Sequence, residues 1–186
     1  MQNNIENILK NNPLIPVVKI ESLDEIEGIY QKLVSQNVRC IEITLRTDVA
    51  WEAISVFKTK YGSEFKIGVG TIVCVEDILK CVAMEVDFMV SPGYSALMVE
   101  QFEISGIPFL PGVSTPGEIT QGIENGWLFF KFFPADLFGG INALKTYGNV
   151  FQNVKFCPTG GINQENHPSF LALENVLSVG GSWLLK

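Results

Sequence analysis

The chain of 186 residues is 47% hydrophobic and 18% charged, with a mean hydropathy of +0.24, values that suit a single domain, 1–186, with a sizeable interior. Its 13 basic and 20 acidic residues leave a net charge of -7 with no basic run, which argues against nucleic acid and anionic membrane surfaces as partners. The four cysteines, Cys40, Cys74, Cys81 and Cys157, lie far apart, and His167 is the one histidine, so neither a zinc site nor a disulfide framework is indicated and a cytoplasmic location is expected.

In chain order, Ile5, Ile8 and Leu9 recur at helical spacing and predict an N-terminal helix at about 2–10, without the cationic start and apolar stretch of a signal peptide. No segment reaches the roughly 18 apolar residues needed to span a bilayer. Eight β-branched or aromatic runs follow: PVVKI (16–20), CIEITL (40–45), FKIGVGT (65–71), FMVSP (88–92), IPFLPGV (107–113), LFFKFFP (128–134), VKFCPTGG (154–161) and VLSVGGSW (176–183). Between them lie helical patterns such as Leu23, Ile26, Ile29, Tyr30 and Leu33, or Ala50, Ala53, Ile54 and Phe57. Such alternation predicts βαβ units and a parallel sheet.

Eight strands fit either a closed (β/α)8 TIM barrel or an open doubly wound sheet. In CIEITLRT, Glu42, Thr44 and Arg46 fall on one face at period two, with Ile41, Ile43 and Leu45 on the other. An open parallel sheet is covered by helices on both faces and reads apolar throughout, so one polar face favours the barrel. The Gly, Pro, Ser and Thr clusters SPG, PGVST, PTGG and GGS all follow strands, where barrel enzymes keep their sites. Only three residues follow Trp183, so the final helix is expected to be missing after the eighth strand, leaving Leu184 or Leu185 uncovered.

Glu42, Thr44 and Arg46 admit two readings. They form an internal polar ladder that only stabilises the barrel, or Arg46 grips a substrate carboxylate while Glu42, deeper in, works as acid and base. Lys131 shares a strand face with Phe129 and Phe133, opposite Phe130 and Phe132. Outward it would enter the helix layer without a partner, so it is expected to face inward and share a cavity with Glu42. There it is either a structural ion-pair partner or an amine whose dry setting favours the neutral, nucleophilic form. The turns Thr159-Gly160-Gly161 and Gly180-Gly181-Ser182 end the last two strands and present backbone N–H groups as an anion cradle. GVGT (68–71) lacks the third glycine of a dinucleotide fingerprint, and NAD is discounted. His167, before Pro168, reads as a solvated residue of a loop or helix start.

The stretches EITLRT (42–47), GVGT (68–71), SPG (91–93), PGVSTP (111–116), KFFPA (131–135), FCPTGG (156–161) and VGGSW (179–183) closely resemble, in order and interval, the 2-dehydro-3-deoxy-phosphogluconate (KDPG) and 4-hydroxy-2-oxoglutarate (KHG) aldolases. The resemblance runs from Pro16 to Leu185. It implies a class I, metal-independent aldolase without a cofactor, a trimeric (β/α)8 barrel that ordinarily continues past VGGSW into a closing helix. The implied reaction splits KDPG into pyruvate and glyceraldehyde 3-phosphate, and KHG into pyruvate and glyoxylate. By position, Lys131 would form the Schiff base, Glu42 would shuttle protons, and Arg46 with Thr71 would hold the pyruvyl carboxylate. Gly160, Gly161 and Ser182 would hold phosphate, with Thr159 and Phe133 lining the pocket. Two other readings stand beside this one: a non-catalytic anion-binding or assembly remnant, and a phosphosugar epimerase or isomerase on the same barrel.

Overall fold

The alternating runs fold as parallel strands joined by helices in a computed structural model that describes residue 2 and residues 4–185. The strands are β1 (Leu14–Val18), β2 (Cys40–Thr44), β3 (Lys66–Gly70), β4 (Phe88–Val90), β5 (Phe109–Leu110), β6 (Gly112–Val113), β7 (Phe129–Phe132), β8 (Lys155–Pro158) and β9 (Val179–Gly181). The helices are α1 (Ile5–Asn11), α2 (Glu25–Ser35), α3 (Ala50–Tyr61), α4 (Val75–Ala83), α5 (Ala96–Ile104), α6 (Pro116–Glu124), α7 (Gly140–Val150) and α8 (His167–Leu171). The expected run 107–113 is two short strands, because Pro111 has no N–H to give the ladder and divides β5 from β6.

One curled six-stranded sheet has the order β5-β4-β3-β2-β1-β9, and a second, three-stranded, has the order β6-β7-β8. Every pairing is parallel. Between the two sheets run the chain through Pro111 and two single bridges, Phe156 with Val176 and Thr159 with Gly180.

Parity sorts the side chains into two apolar layers. Ile41, Ile43, Ile67, Val69, Phe130, Phe132 and Phe156 point outward and pack under the helices, against Ile26 and Leu33 of α2 and Ala53, Ile54 and Phe57 of α3. Phe132 meets the Tyr147 ring of α7 edge-on at 5.9 Å. The opposite, concave face gathers Ile15, Cys40, Phe88, Val90, Leu110 and Cys157 around Ile5 and Leu9 of α1, both fully buried. Each such Ile or Leu removed from water contributes about 1.5–3 kcal/mol. Helix α1 therefore caps the concave face at the N-terminal ends of the strands. Gln2 ties this end down, accepting from the Leu128 and Phe129 N–H groups at 2.9 Å and donating to the Phe129 carbonyl at 2.5 Å.

Local chemistry explains where elements begin. At α6, the Thr115 hydroxyl accepts from the Glu118 N–H, Glu118 accepts from the Thr115 N–H at 2.8 Å, and Pro116 takes a first-turn position that needs no donor. After β9 the chain turns through a 3-10 segment, Trp183–Leu185, that folds back on α2, where Gln36 donates to the Leu184 carbonyl at 2.9 Å. Leu184 is buried by this turn, contrary to the expectation that it or Leu185 would lie uncovered. Among the described residues, no helix is long and apolar enough to cross a membrane.

Candidate active site

Parallel strands bring their C-terminal ends to one side of the sheet, and the loops that follow them surround a cavity of about 500 Å³. Glu42 comes from β2 and Lys131 from β7. Arg46 and Thr71 follow β2 and β3, Phe133 follows β7, Thr159 to Gly161 follow β8, and Ser182 follows β9. These nine residues, scattered over 141 positions from Glu42 to Ser182, all line the one cavity.

At its floor the Lys131 Nζ lies 3.4 Å from Glu42 Oε1, with side chains 7% and 4% exposed. The amine also sits 5.0 Å from the centre of the Phe133 ring, on the same strand face. Phe130 and Phe132 are buried on the other face, as parity predicts. A buried charge pair of this kind gains little net stability from its attraction after desolvation, so its placement in a cavity is the more informative fact. Thr44 shares Glu42's face but turns its hydroxyl into the sheet, donating to the Val18 carbonyl at 2.9 Å, and it does not line the cavity. Arg46 is exposed at the mouth.

Glycines make the room. A Cβ on Gly70 would come within 2.6 Å of the Glu42 Cδ, so the carboxylate occupies space that any other residue would fill. Gly160 and Gly161, which also line the cavity, adopt φ of +97° and +77°, a left-handed backbone that favours glycine. Thr71 is itself at φ +65°, unusual for a β-branched residue and placed where β3 opens into the cavity.

Beneath the site, Cys157 is the register partner of Lys131 on β8. Burial pushes its thiol up to about 11, with the Ser178 hydroxyl and the Lys131 charge acting weakly the other way, so it is no competing nucleophile near neutral pH. His167 opens α8 rather than a loop, half-buried, with its ring stacked on Trp183 at 5.6 Å. It lies outside the cavity lining. Among the described residues no group of three or more His, Cys, Asp or Glu side chains is placed to hold a metal.

Gly181, of the Gly180-Gly181-Ser182 turn, also lines the cavity, as do Val17, Lys19, Pro92 and Ile162, which were not singled out from the sequence. For Lys19 a signal existed, since it stands at the C-terminal end of an apolar strand run. Pro92 lies in SPG, one of the small-residue clusters already noted after the strands.

A family model described as KDPG and KHG aldolase matches residues 5–186. The KHG/KDPG aldolase of Escherichia coli (strain K12) is 37% identical over 180 residues, covering 97% of this chain and 84% of the relative. Among solved structures, KDPG aldolase from Legionella pneumophila, with pyruvate captured at low pH as a covalent carbinolamine intermediate, superposes with a TM-score of 0.93 at 38% identity, covering 97% of this chain and 87% of that one. The 2-keto-3-deoxy-6-phosphogluconate aldolase of Zymomonas mobilis ZM4 with 3-phosphoglycerate does so with a TM-score of 0.93 at 34% identity, covering 98% and 87%.

Proposed function

The chain belongs to the KDPG and KHG aldolase family, lyases that work through a Schiff base, and from that premise we propose that its cavity cleaves KDPG to pyruvate and glyceraldehyde 3-phosphate, with KHG as a second substrate. The observation that carries the proposal is the buried Lys131–Glu42 pair in a cavity also lined by Arg46, Thr71 and the Gly160–Gly161 turn.

The chemistry follows from what each group offers. Lys131, as the neutral amine, adds to the C2 ketone to give a carbinolamine, which loses water to an iminium ion. Glu42, 3.4 Å from the amine, takes the C4 hydroxyl proton. As C4 becomes an aldehyde, the C3–C4 bonding pair flows into the iminium and leaves an enamine. Glu42 returns its proton to C3, and water hydrolyses the pyruvate imine to restore the lysine. Arg46 and Thr71 hold the carboxylate next to C2, and Gly160, Gly161 and Ser182 hold the phosphate about a sugar's length away. Thr159 and Phe133 line the space between.

Several further readings belong to the same proposal. The two sheets are one closed (β/α)8 barrel in a single domain, supported by the bridge from Thr159 to Gly180 and by the continuity of β5 and β6 through Pro111. The protein works as a homotrimer in the cytoplasm. Assembly is supported by exposed apolar side chains on the neighbouring helices α4 and α5, Leu79, Val82, Leu97 and Ile104, and the location by four unpaired cysteines.

Reduction with borohydride in the presence of pyruvate tests the proposal. Mass spectrometry of the digest is expected to find the reduced pyruvyl adduct on Lys131 and none in Lys131→Arg. A folded protein left unmodified at Lys131 would defeat it.

A further inference from the structure

The cradle formed by Gly160, Gly161 and Ser182 offers backbone and hydroxyl donors but no formal charge, whereas a phosphate monoester near neutral pH carries close to two negative charges. A cation close to the cradle would match that charge. Lys19 is in position. It stands one residue past β1, the strand between β2 and β9, and it lines the same cavity as Gly160, Gly161 and Ser182. The register pairs Pro16 with Gly181, so the chain at Lys19 rises just beyond the Gly181–Ser182 turn.

Lys19 is not held in that place by burial. Its side chain is 47% exposed and its ammonium sits 2.5 Å from the carboxylate of Glu21, itself 60% exposed. An ion pair as wet as this is readily exchanged for a better anion. Arg46, the other exposed cation lining the cavity, follows β2 and is the residue proposed above to hold the substrate carboxylate. The two cations thus divide the two ends of a doubly anionic substrate.

We infer that Lys19 is a specificity-determining residue that recognises the phosphoryl end of the substrate, exchanging Glu21 for the phosphate as the substrate enters. The inference rests on the aldolase reading above. A flexible ammonium that carries charge without fixed geometry discriminates by charge, so it favours a phosphorylated aldol over the same sugar acid without phosphate. Glu21 competes for the same ammonium and thereby sets the anion affinity of the empty site.

The test is the ratio of kcat/KM for KDPG to that for the unphosphorylated 2-dehydro-3-deoxygluconate, in the wild type, Lys19→Met, Lys19→Arg and Glu21→Gln, with borohydride trapping of pyruvate run in parallel. Lys19→Met is expected to lower the ratio roughly 5- to 30-fold, mainly through KM for the phosphorylated substrate, the range for losing one partly solvated charged hydrogen bond. Lys19→Arg restores most of it, and Glu21→Gln lowers that KM by about 2- to 3-fold. Inorganic phosphate, as a competitive inhibitor, is expected to weaken in Lys19→Met in parallel. A ratio and a phosphate inhibition constant unmoved in a Lys19→Met protein that still traps pyruvate overturn the inference alone. Failure of the wild type to trap pyruvate overturns the aldolase reading and this inference with it.

Discussion

Gly70 and Glu42 share one small volume: a Cβ on Gly70 would come within 2.6 Å of the Glu42 Cδ and closer still to Oε1. The carboxylate therefore leans over β3 only because that position is glycine. Gly70→Ala is expected to push the carboxylate away from the 3.4 Å contact with Lys131, lowering kcat about 100-fold while pyruvate still forms its imine. The overpacking is expected to cost about 1–3 kcal/mol of stability. Steady-state kinetics, borohydride trapping and urea unfolding on one preparation check all three parts.

The Lys131–Glu42 pair is expected to behave oppositely when broken and when removed whole. Lys131→Met leaves a carboxylate that is 4% exposed without its partner and is expected to cost about 3–5 kcal/mol. The double variant Lys131→Met with Glu42→Leu removes both charges and is expected to recover most or all of that loss, with no activity in either protein. Urea unfolding near pH 7 reads the difference. Equal loss in the single and double variants would count against a charged pair.

Buried thiols set an alkaline limit on stability. Burial pushes Cys157 up to about 11 and Cys81 up to about 12 from an ordinary 9.0, and raises Cys40 as well. A group raised on folding contributes stability that is fully present below its unfolded value and is lost as pH climbs through its folded value. The urea midpoint is therefore expected to hold level to about pH 8.5 and to fall between roughly pH 9 and 11, each thiol adding up to about 1.4 kcal/mol per pH unit. Cys81→Ala is expected to make that fall shallower.

Leu9 fills the capped end of the concave face with no exposure to solvent. Leu9→Ala is expected to destabilise the protein by about 2–5 kcal/mol, the range for a cavity that neighbours cannot collapse into. Because α1 lies at the strand ends away from the mouth, kcat is expected to change by less than about threefold at temperatures where the variant stays folded. Differential scanning calorimetry together with an aldolase assay separates the two effects.

Parity made the floor of the site legible. Phe130 and Phe132 had to face one way in LFFKFFP, which left Lys131 and Phe133 the other, and the same count put Glu42 inside β2. The glycine turns were legible because few other roles call for two Thr-or-Gly-rich strand ends in succession. Lys19 carried only its place at a strand's end as a signal, because a lone lysine after PVV otherwise has the pattern of a solvated side chain, and it is the pairing of β1 with β9 that puts it on the strand next to the Gly181–Ser182 turn. The division at Pro111 was read over in the apolar run IPFLPGV, although a proline inside a strand run, with no N–H for the ladder, is a local sign of such a break. The burial of Leu184 depends on a contact with Gln36, 148 residues earlier, which no local pattern carries.

The cavity residues are divided between the two sheets, which are joined through Pro111 and by the bridges from Phe156 to Val176 and from Thr159 to Gly180. Glu42, Arg46, Thr71 and Ser182 are on or next to strands of the larger sheet, while Lys131, Phe133, Thr159, Gly160 and Gly161 are on or next to strands of the smaller. The Lys131 amine and the Glu42 carboxylate, 3.4 Å apart, thus come from different sheets. A molecule reaching from Arg46 to Gly160 would span both sheets, so the packing of one sheet against the other fixes the distance between its two ends.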